Sequence, residues 1–420
     1  NVVYEHWSVA VNNGKIVDLL PTDEAGIMYN AYDEIDLAGH ALLPGLINGH
    51  THAAMTLFRG LADDLPLSDW LNHHIWPAEQ RWVNPEFVAD GARLAIAEMI
   101  RNGTTCFSDM YFFPDQTADA AIEAGMRAAI GLILIDFPTA WAKDADDYLL
   151  KGEQIHDKYR HQPLIHTAFA PHAPYTVSDG PLQRINTLAE ELNIPIHMHV
   201  HETWDEIERS LEQHGKRPLQ RLFDLGLVNE RLIAVHMTQL ETDEIDLVAR
   251  YGVNVMHCPE SNLKLASGFC PVQELLLTGI NVALGTDGAA SNNDLDMLGE
   301  IRTAALLAKG IAGDSSALPA HTALRMATLN NARALGIADR TGSLTVGKDA
   351  DLIAIDLWQL ETQPLYHPVS QIVYTCNRSQ VTDVWVAGKQ LMKARELTTL
   401  DEELVLERAK LWQEKIVCKD

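Results

Sequence analysis

From Ala41 onward, short apolar runs alternate with longer segments of helical pattern, and this rhythm narrows the possible folds more than any other feature. Eight runs stand out: Ala41–Ile47, Thr104–Met110, Ala128–Ile135, Leu164–Ala170, Pro195–Val200, Arg231–Met237, Val253–Cys258 and Ile280–Gly285. Continuous apolar runs of this length suit strands buried on both faces of a parallel sheet. The gaps carry helix signals. Asn84-Pro85 supplies an N-cap and a first-turn proline, and Gly103 follows the helix end. Further helices read at Asp115–Gly125, Asp144–Tyr159, Ser178–Asn193, Trp204–Gly226, Glu241–Arg250, Val272–Thr278 and Asn293–Lys309. A succession of eight strand–helix units predicts an α/β fold, the (β/α)8 TIM barrel.

The two ends of the chain have a different texture. Residues 1–43 read as short strands and turns, with Asn12-Asn13-Gly14 as a hairpin signal before Lys15–Leu20. After a helix at Thr322–Gly336 the pattern returns to short strands, such as Asp351–Asp356 and Val381–Val386. The expectation is a small β-sandwich domain built from both termini, residues 1–43 plus 344–420, flanking a barrel of residues 44–343.

Composition excludes several function classes. The net charge is −26 and no basic run occurs, which argues against a nucleic-acid partner, whose phosphates need a Lys/Arg surface. No apolar stretch approaches the roughly 20 residues needed to span a bilayer, so no membrane partner is expected. The N-terminus has no basic region and no signal-like apolar core. Cys106, Cys258, Cys270, Cys376 and Cys418 are scattered without a C-x-x-C pair. They read as reduced thiols of a cytoplasmic protein.

Polar residues collect at the ends of the apolar runs. His50-Thr51-His52 lies just past the first, and residues at i and i+2 of an extended segment point the same way. The fourth run leads to His172. The fifth ends in His197-Met198-His199-Val200-His201-Glu202, the sixth in His236, the seventh in His257 and the eighth in Gly285-Thr286-Asp287-Gly288. In a (β/α)8 barrel the C-terminal strand ends form one rim, where the active site lies. Histidines and an aspartate converging there make an N/O shell for a divalent metal with open positions for water. Alternation puts 197, 199 and 201 on one face and does not choose among them. A metal of this kind makes water nucleophilic at neutral pH.

H-T-H after the first strand, H-x-x-E at the fifth, the sixth-strand histidine and the G-T-D-G aspartate together resemble the amidohydrolase superfamily. The terminal segments fit too, including Gly342-Ser343-Leu344 and Gly347-Lys348-Asp349-Ala350-Asp351-Leu352. The resemblance implies His50, His52, His199 and Asp287 as metal ligands, because the family's glutamate lies three residues beyond the ligand and Glu202 fits only His199. No lysine lies between Lys158 and Lys216. The carboxylated-lysine bridge of binuclear members is thereby excluded, leaving one divalent metal, Zn2+ first, with Fe2+ or Mn2+ as alternatives. Glu202 is then the proton shuttle to the ring nitrogen. Asp287 is ligand and proton acceptor, and His236 orients water and stabilises the intermediate. Glu202 also suits a helix start, and His236 a hydrogen-bonded core position. His257 is expected to be structural or supporting.

The stretches His50–Gly60, Leu65–Trp70, Ile75–Glu79 and Cys258–Ala266 look like the 5′-methylthioadenosine/S-adenosylhomocysteine deaminases. That resemblance implies hydrolysis of the 6-amino group of an adenine nucleoside, giving the inosine analogue and ammonia. It also implies Glu79 as the ribose ligand, His172 and Glu202 as nucleoside contacts, and a homo-oligomer. A carboxylate can accept both hydrogen bonds of a vicinal diol. Met55, Leu57, Phe58, Leu61, Leu65, Trp70 and Trp76 are candidates for an apolar pocket wall. Arginines that hold the homocysteine carboxylate after the third strand in some members are missing from Ile130–Trp141; Arg127 precedes the strand and Lys143 follows it. The rivals are a guanine, pterin or cytosine deaminase, a triazine-type hydrolase, and a catalytically inactive scaffold. Gly342–Lys348 has P-loop spacing, but Asp349 replaces the required Ser/Thr, so it reads as a turn.

Overall fold

In the computed structural model, which describes residues 2–417, the chain opens with an antiparallel hairpin, β1 (Trp7–Asn12) and β2 (Lys15–Pro21). Asn13 and Gly14 turn it with φ of 49° and 77°, the left-handed pair that a two-residue hairpin loop demands. Next come β3 (His40–Pro44) and β4 (Leu46–Thr51). The sequence pattern makes Ala41–Ile47 a single strand, whereas the structure divides it at Gly45. β3 enters an accessory sheet and β4 starts the barrel. A Cβ on residue 45 would lie 2.1 Å from Thr105 Oγ1, so the crossing between the two sheets needs glycine.

The barrel continues through β5 (Thr104–Asp109), β6 (Arg127–Leu134), β7 (Ile165–Pro171), β8 (Ile196–Val200), β9 (Leu232–His236), β10 (Asn254–His257) and β11 (Val282–Leu284). These strands pair in parallel in chain order. Every residue of β4, β5, β6, β8, β9 and β11 is buried, as parallel strands jacketed by helices must be. Side chains draw β11 and β4 together. Asn331 Nδ2 donates to Ile47 O at 2.6 Å and to Leu284 O at 2.8 Å, while Asn48 Oδ1 accepts from Thr286 N at 3.0 Å. Gly285 permits the approach, since a Cβ there would sit 2.6 Å from His50 N.

β12 (Leu352–Asp356), β13 (Val381–Val386), β14 (Lys389–Lys393) and β15 (Glu396–Leu397) form an antiparallel sheet whose fifth member is β3. Ile16 and Leu19 of the hairpin pack on Leu352, Ala354 and Trp385 of this sheet. Arg127, fully buried at the start of β6, fastens the sheet to the barrel. Its Nε donates to Asp351 Oδ2 and its Nη2 to Asp349 Oδ2, each at 2.9 Å.

The Pro85–Arg101 helix starts as its sequence demands, with Asn84 Oδ1 accepting from Phe87 N. Other elements depart from the sequence pattern. Residues 204–226 form two helices, Trp204–His214 and Pro218–Asp224, because Gly215 ends the first in a left-handed cap and Pro218 opens the second. The 53–82 loop holds short helical turns, among them Leu67–Trp70 and Trp76–Trp82. The C-terminal segment is not strand-like but a helix, Glu402–Val417, with buried Trp412 donating to Asp90 Oδ2 at 2.8 Å. Cys106, Cys258, Cys270 and Cys376 are free and buried; Cys418 lies outside the described residues. Among the described residues no helix is long and apolar enough to cross a membrane.

Candidate metal centre

Four side chains from three barrel strands meet at the C-terminal mouth. One donor atom each of His50, His52, His199 and Asp287 lies within 4.8 Å of the others. His50 Nε2 and His52 Nε2 stand 3.4 and 3.2 Å from Asp287 Oδ1, and His199 Nε2 stands 3.1 Å from His50 Nε2. The far side of each ring is committed. His52 Nδ1 donates to Met110 O at 2.6 Å, and His199 Nδ1 donates to His172 O at 2.7 Å. His50 Nδ1 pairs with His197 Nε2 at 3.0 Å, and His197 Nδ1 with Ser108 Oγ at 3.1 Å. A carbonyl accepts only from a protonated nitrogen, so His52 and His199 can offer their Nε2 lone pairs inward. Outer hydrogen bonds that fix the tautomer in this way typify metal-ligating histidines.

The backbone at the rim is strained in register with the site. His201, Met237 and Asp287 have φ of 55°, 50° and 64°, and His236 of 74°. Non-glycine residues hold such angles only where the surroundings enforce them. At His201 the effect corrects a simple alternation. His197 and His199 point into the barrel, but the left-handed turn swings His201 outward, where its Nε2 accepts from Leu219 N at 3.1 Å. His197 lies beneath His50 as its support. His257 is buried at the end of β10, outside the cluster, and its Nδ1 has no hydrogen-bond partner among the described residues.

Charge follows from these contacts. Burial pushes the His199 imidazole well below its ordinary range and His50 to about 4. Burial lowers His52, but the hydrogen bond and charge of Asp287, the Met110 carbonyl and the charge of Asp109 together outweigh it and raise the ring to about 9, so a cation at Nε2 would displace a proton there. Asp287 is held well below the usual carboxylate range, since His50 and His52 outweigh its burial. Its Oδ2 also accepts from Ser261 Oγ at 2.7 Å and Ser291 Oγ at 2.8 Å. Three imidazoles and an ionised carboxylate are a donor set for one divalent cation.

Glu202 is buried, and burial raises its carboxyl above the ordinary range. His236 Nε2 lies 3.7 Å from Glu202 Oε2, and its Nδ1 bonds Asn262 Oδ1 at 2.8 Å. Both border a pocket shared with His52, His199 and Asp287. His172 and Glu79 line that same pocket. Glu79 sits on the short Trp76–Trp82 helix of the 53–82 loop; Tyr111 OH donates to its Oε1 at 2.7 Å, and burial pushes it up to about 7. The walls are apolar, with Met55, Trp70, Trp76, Ile133 and Ile135. Leu65 belongs to an outer cavity of about 560 Å³ that shares Leu67, Trp76, Tyr175 and Glu202 with the inner one. Leu57, Phe58 and Leu61 line neither. Sequence reasoning missed Ser108, Ser261, Asn262 and Ser291; Ser261 and Asn262 fall within the Cys258–Ala266 stretch, where their serine and amide types were the available signal.

Comparison with known proteins agrees with this geometry. The model of the amidohydrolase family matches residues 41–391. The 5-methylthioadenosine/S-adenosylhomocysteine deaminase of Teredinibacter turnerae is 52% identical over 417 residues, covering 99% of this chain and 94% of that protein. The same-named protein of Saccharophagus degradans is 53% identical over 414 residues, 99% of this chain and 93% of its own. A crystal structure of an adenosine deaminase from Xanthomonas campestris with bound zinc superposes with a TM-score of 0.98 at 55% identity, covering 99% of this chain and 94% of that one. Atrazine chlorohydrolase TrzN from Arthrobacter aurescens shares the fold, with a TM-score of 0.90 at 24% identity over 97% of this chain and 95% of that one. The His50/His52/His199/Asp287 group fits a single divalent metal, zinc.

Proposed function

The chain belongs to the amidohydrolase family, and on that premise we propose that it hydrolyses the 6-amino group of adenine nucleosides, 5′-methylthioadenosine or S-adenosylhomocysteine, to the inosine analogue and ammonia. The observation that carries this reading is the shared pocket: a metal-binding group and a buried Glu202–His236 pair at one side, and a carboxylate suited to a diol, Glu79, in otherwise apolar walls.

His50, His52, His199 and Asp287 would hold the divalent metal, which when bound would lower the pKa of water towards about 7 and so make it nucleophilic. Glu202, whose carboxyl is raised by burial above its ordinary range, delivers a proton to the ring nitrogen beside the amino-bearing carbon and regains one from the added hydroxyl as the carbonyl forms. Asp287 accepts a proton as water is consumed and returns it to the departing ammonia. His236, tethered by Asn262, orients the water and stabilises charge on the intermediate. Glu79 accepts hydrogen bonds from the ribose diol, and His172 packs against the nucleoside.

Ile133 and Ile135 line the inner pocket beside the third barrel strand and suit an apolar 5′ substituent, while the cavity outside it carries acidic Asp64 and Asp205 together with basic Arg209 and Lys264. Both methylthioadenosine and S-adenosylhomocysteine therefore stand as substrates of this reading. The −26 charge weighs against a nucleic-acid partner and the scattered buried thiols support a cytoplasmic location, while a homo-oligomer is what the family resemblance implies. Ammonia release is to be measured on methylthioadenosine, S-adenosylhomocysteine, adenosine and guanine, with and without a chelator. Chelator-sensitive turnover of the nucleosides is expected; turnover of guanine alone would reject the reading.

A further inference from the structure

The peptide that joins β8 to the Trp204–His214 helix carries Glu202, and a second acidic residue grips it. Glu206 Oε1 accepts from His201 N at 3.1 Å, and Glu206 Oε2 accepts from Glu202 N at 2.8 Å. From the opposite side Thr238 Oγ1 donates to Glu202 O at 2.7 Å, and Thr238 N donates to His201 O at 3.0 Å. The pinned segment includes His201, whose left-handed φ of 55° needs such enforcement.

Helix capping does not account for this arrangement. A glutamate in the third position of a helix ordinarily reaches back to the N-cap N–H. The N-cap here is Thr203, and Glu206 passes it to reach the two residues before it. Glu206 is buried and has no cationic partner within ion-pair distance among the described residues. Burial pushes its carboxyl up to about 8. A buried carboxyl group with no cation beside it is costly to ionise, yet both of its oxygens are committed to the two N–H groups that set where the Glu202 side chain departs.

We propose that Glu206 is a positioning residue for deamination, acting through Glu202 by fixing the backbone from which that carboxyl reaches the substrate ring. The inference rests on the deaminase reading above. Zinc-loaded Glu206→Gln and Glu206→Leu are to be assayed with methylthioadenosine beside the wild type. Glutamine keeps one acceptor oxygen and leucine keeps only bulk. Since a displacement of about 1 Å can cost on the order of a hundredfold, kcat is expected to fall about tenfold in the first and a hundredfold in the second. KM should stay within about threefold, with zinc content unchanged in both.

A capping role alone would lower Tm and leave kcat at 25 °C where it was. The inference is overturned if both variants keep kcat within twofold of wild type at full zinc loading. Should the leucine variant not fold, the glutamine variant decides by the same criterion. A zinc-loaded wild type that releases ammonia from no 6-aminopurine nucleoside would instead bring down the deaminase reading, and this inference with it.

Discussion

Replacing His197 with leucine asks whether the metal centre depends on a tautomer set two residues away from the ion. For His50 to present a lone pair at Nε2, its proton must sit on Nδ1. That N–H donates to His197 Nε2 at 3.0 Å, which places the His197 proton on Nδ1, facing Ser108 Oγ at 3.1 Å. All three residues are buried. Leucine at 197 leaves the His50 Nδ1–H without an acceptor, and a buried unsatisfied donor costs about 1–3 kcal/mol. The ring then favours carrying its proton on Nε2, which zinc must displace. At about 1.4 kcal/mol per tenfold, the loss is roughly 5- to 150-fold in zinc affinity, in line with the 10- to 100-fold typical when a ligand loses its outer partner. Competition against a chromophoric chelator measures it. His197→Gln, which can put an amide oxygen near the Nε2 position, should recover most of the affinity. In excess zinc, kcat of the leucine variant should return to within a few-fold of wild type. A leucine variant that binds zinc within about threefold of wild type would refute the relay.

Other substitutions probe the remaining roles. Glu202→Gln should lower kcat by about 10²–10⁴, the usual weight of a general acid–base, while zinc stays bound; a loss under tenfold would take the proton shuttle away from this residue. Glu79 is pushed up to about 7 by burial, and only its ionised form accepts both diol hydrogen bonds. As pH falls through that value, kcat/KM for ribonucleosides should decline. A 2′,3′-dideoxy substrate, or Glu79→Gln, should lack that part of the acid limb, and its persistence in both would disprove the diol contact. Arg127→Met strands buried Asp351 at the barrel floor, while Asp349 keeps Lys15 and Arg340, so chemical denaturation should show a loss of about 3–5 kcal/mol with kcat of the folded enzyme unchanged.

The barrel was legible because strands buried on both faces leave unbroken apolar runs, and the ligand positions because histidines and an aspartate ended those runs. The boundary at Gly45 was not legible. β3 and β4 are both apolar, and the clash with Thr105 that forces the break is a tertiary contact. The C-terminal helix escaped for the opposite reason. Only Val405 and Trp412 of Glu402–Val417 are buried, while Leu404 and Leu406 are exposed, so no apolar stripe marks it. Choosing among His197, His199 and His201 needed the family glutamate, because no residue type announces that His201 will take a left-handed turn. Ser261 and Ser291 reach Asp287 from segments 26 and 4 residues away; a hydroxyl in a loop carries no hint of the carboxylate it will hold.

The two rims of the barrel divide stability from chemistry. At the N-terminal rim Arg127 is saturated by Asp349 and Asp351, and Asp349 is shared with Lys15 and Arg340, so strands from both chain ends close on one buried guanidinium. Nothing there has to change protonation during turnover. At the C-terminal rim, left-handed residues end β9 and follow β8 and β11, and His199 and His50 face each other with nitrogens 3.1 Å apart. Each of those features is locally unfavourable, by about 1–3 kcal/mol per strained residue, and each aims a lone pair or a carboxyl at one point. A barrel anchored only at its catalytic rim would relax when that strain was released. With the opposite rim clamped, substitutions such as His197→Leu or Glu206→Gln should change affinity and rate while the fold persists, which is the condition under which the kinetic tests above can be read.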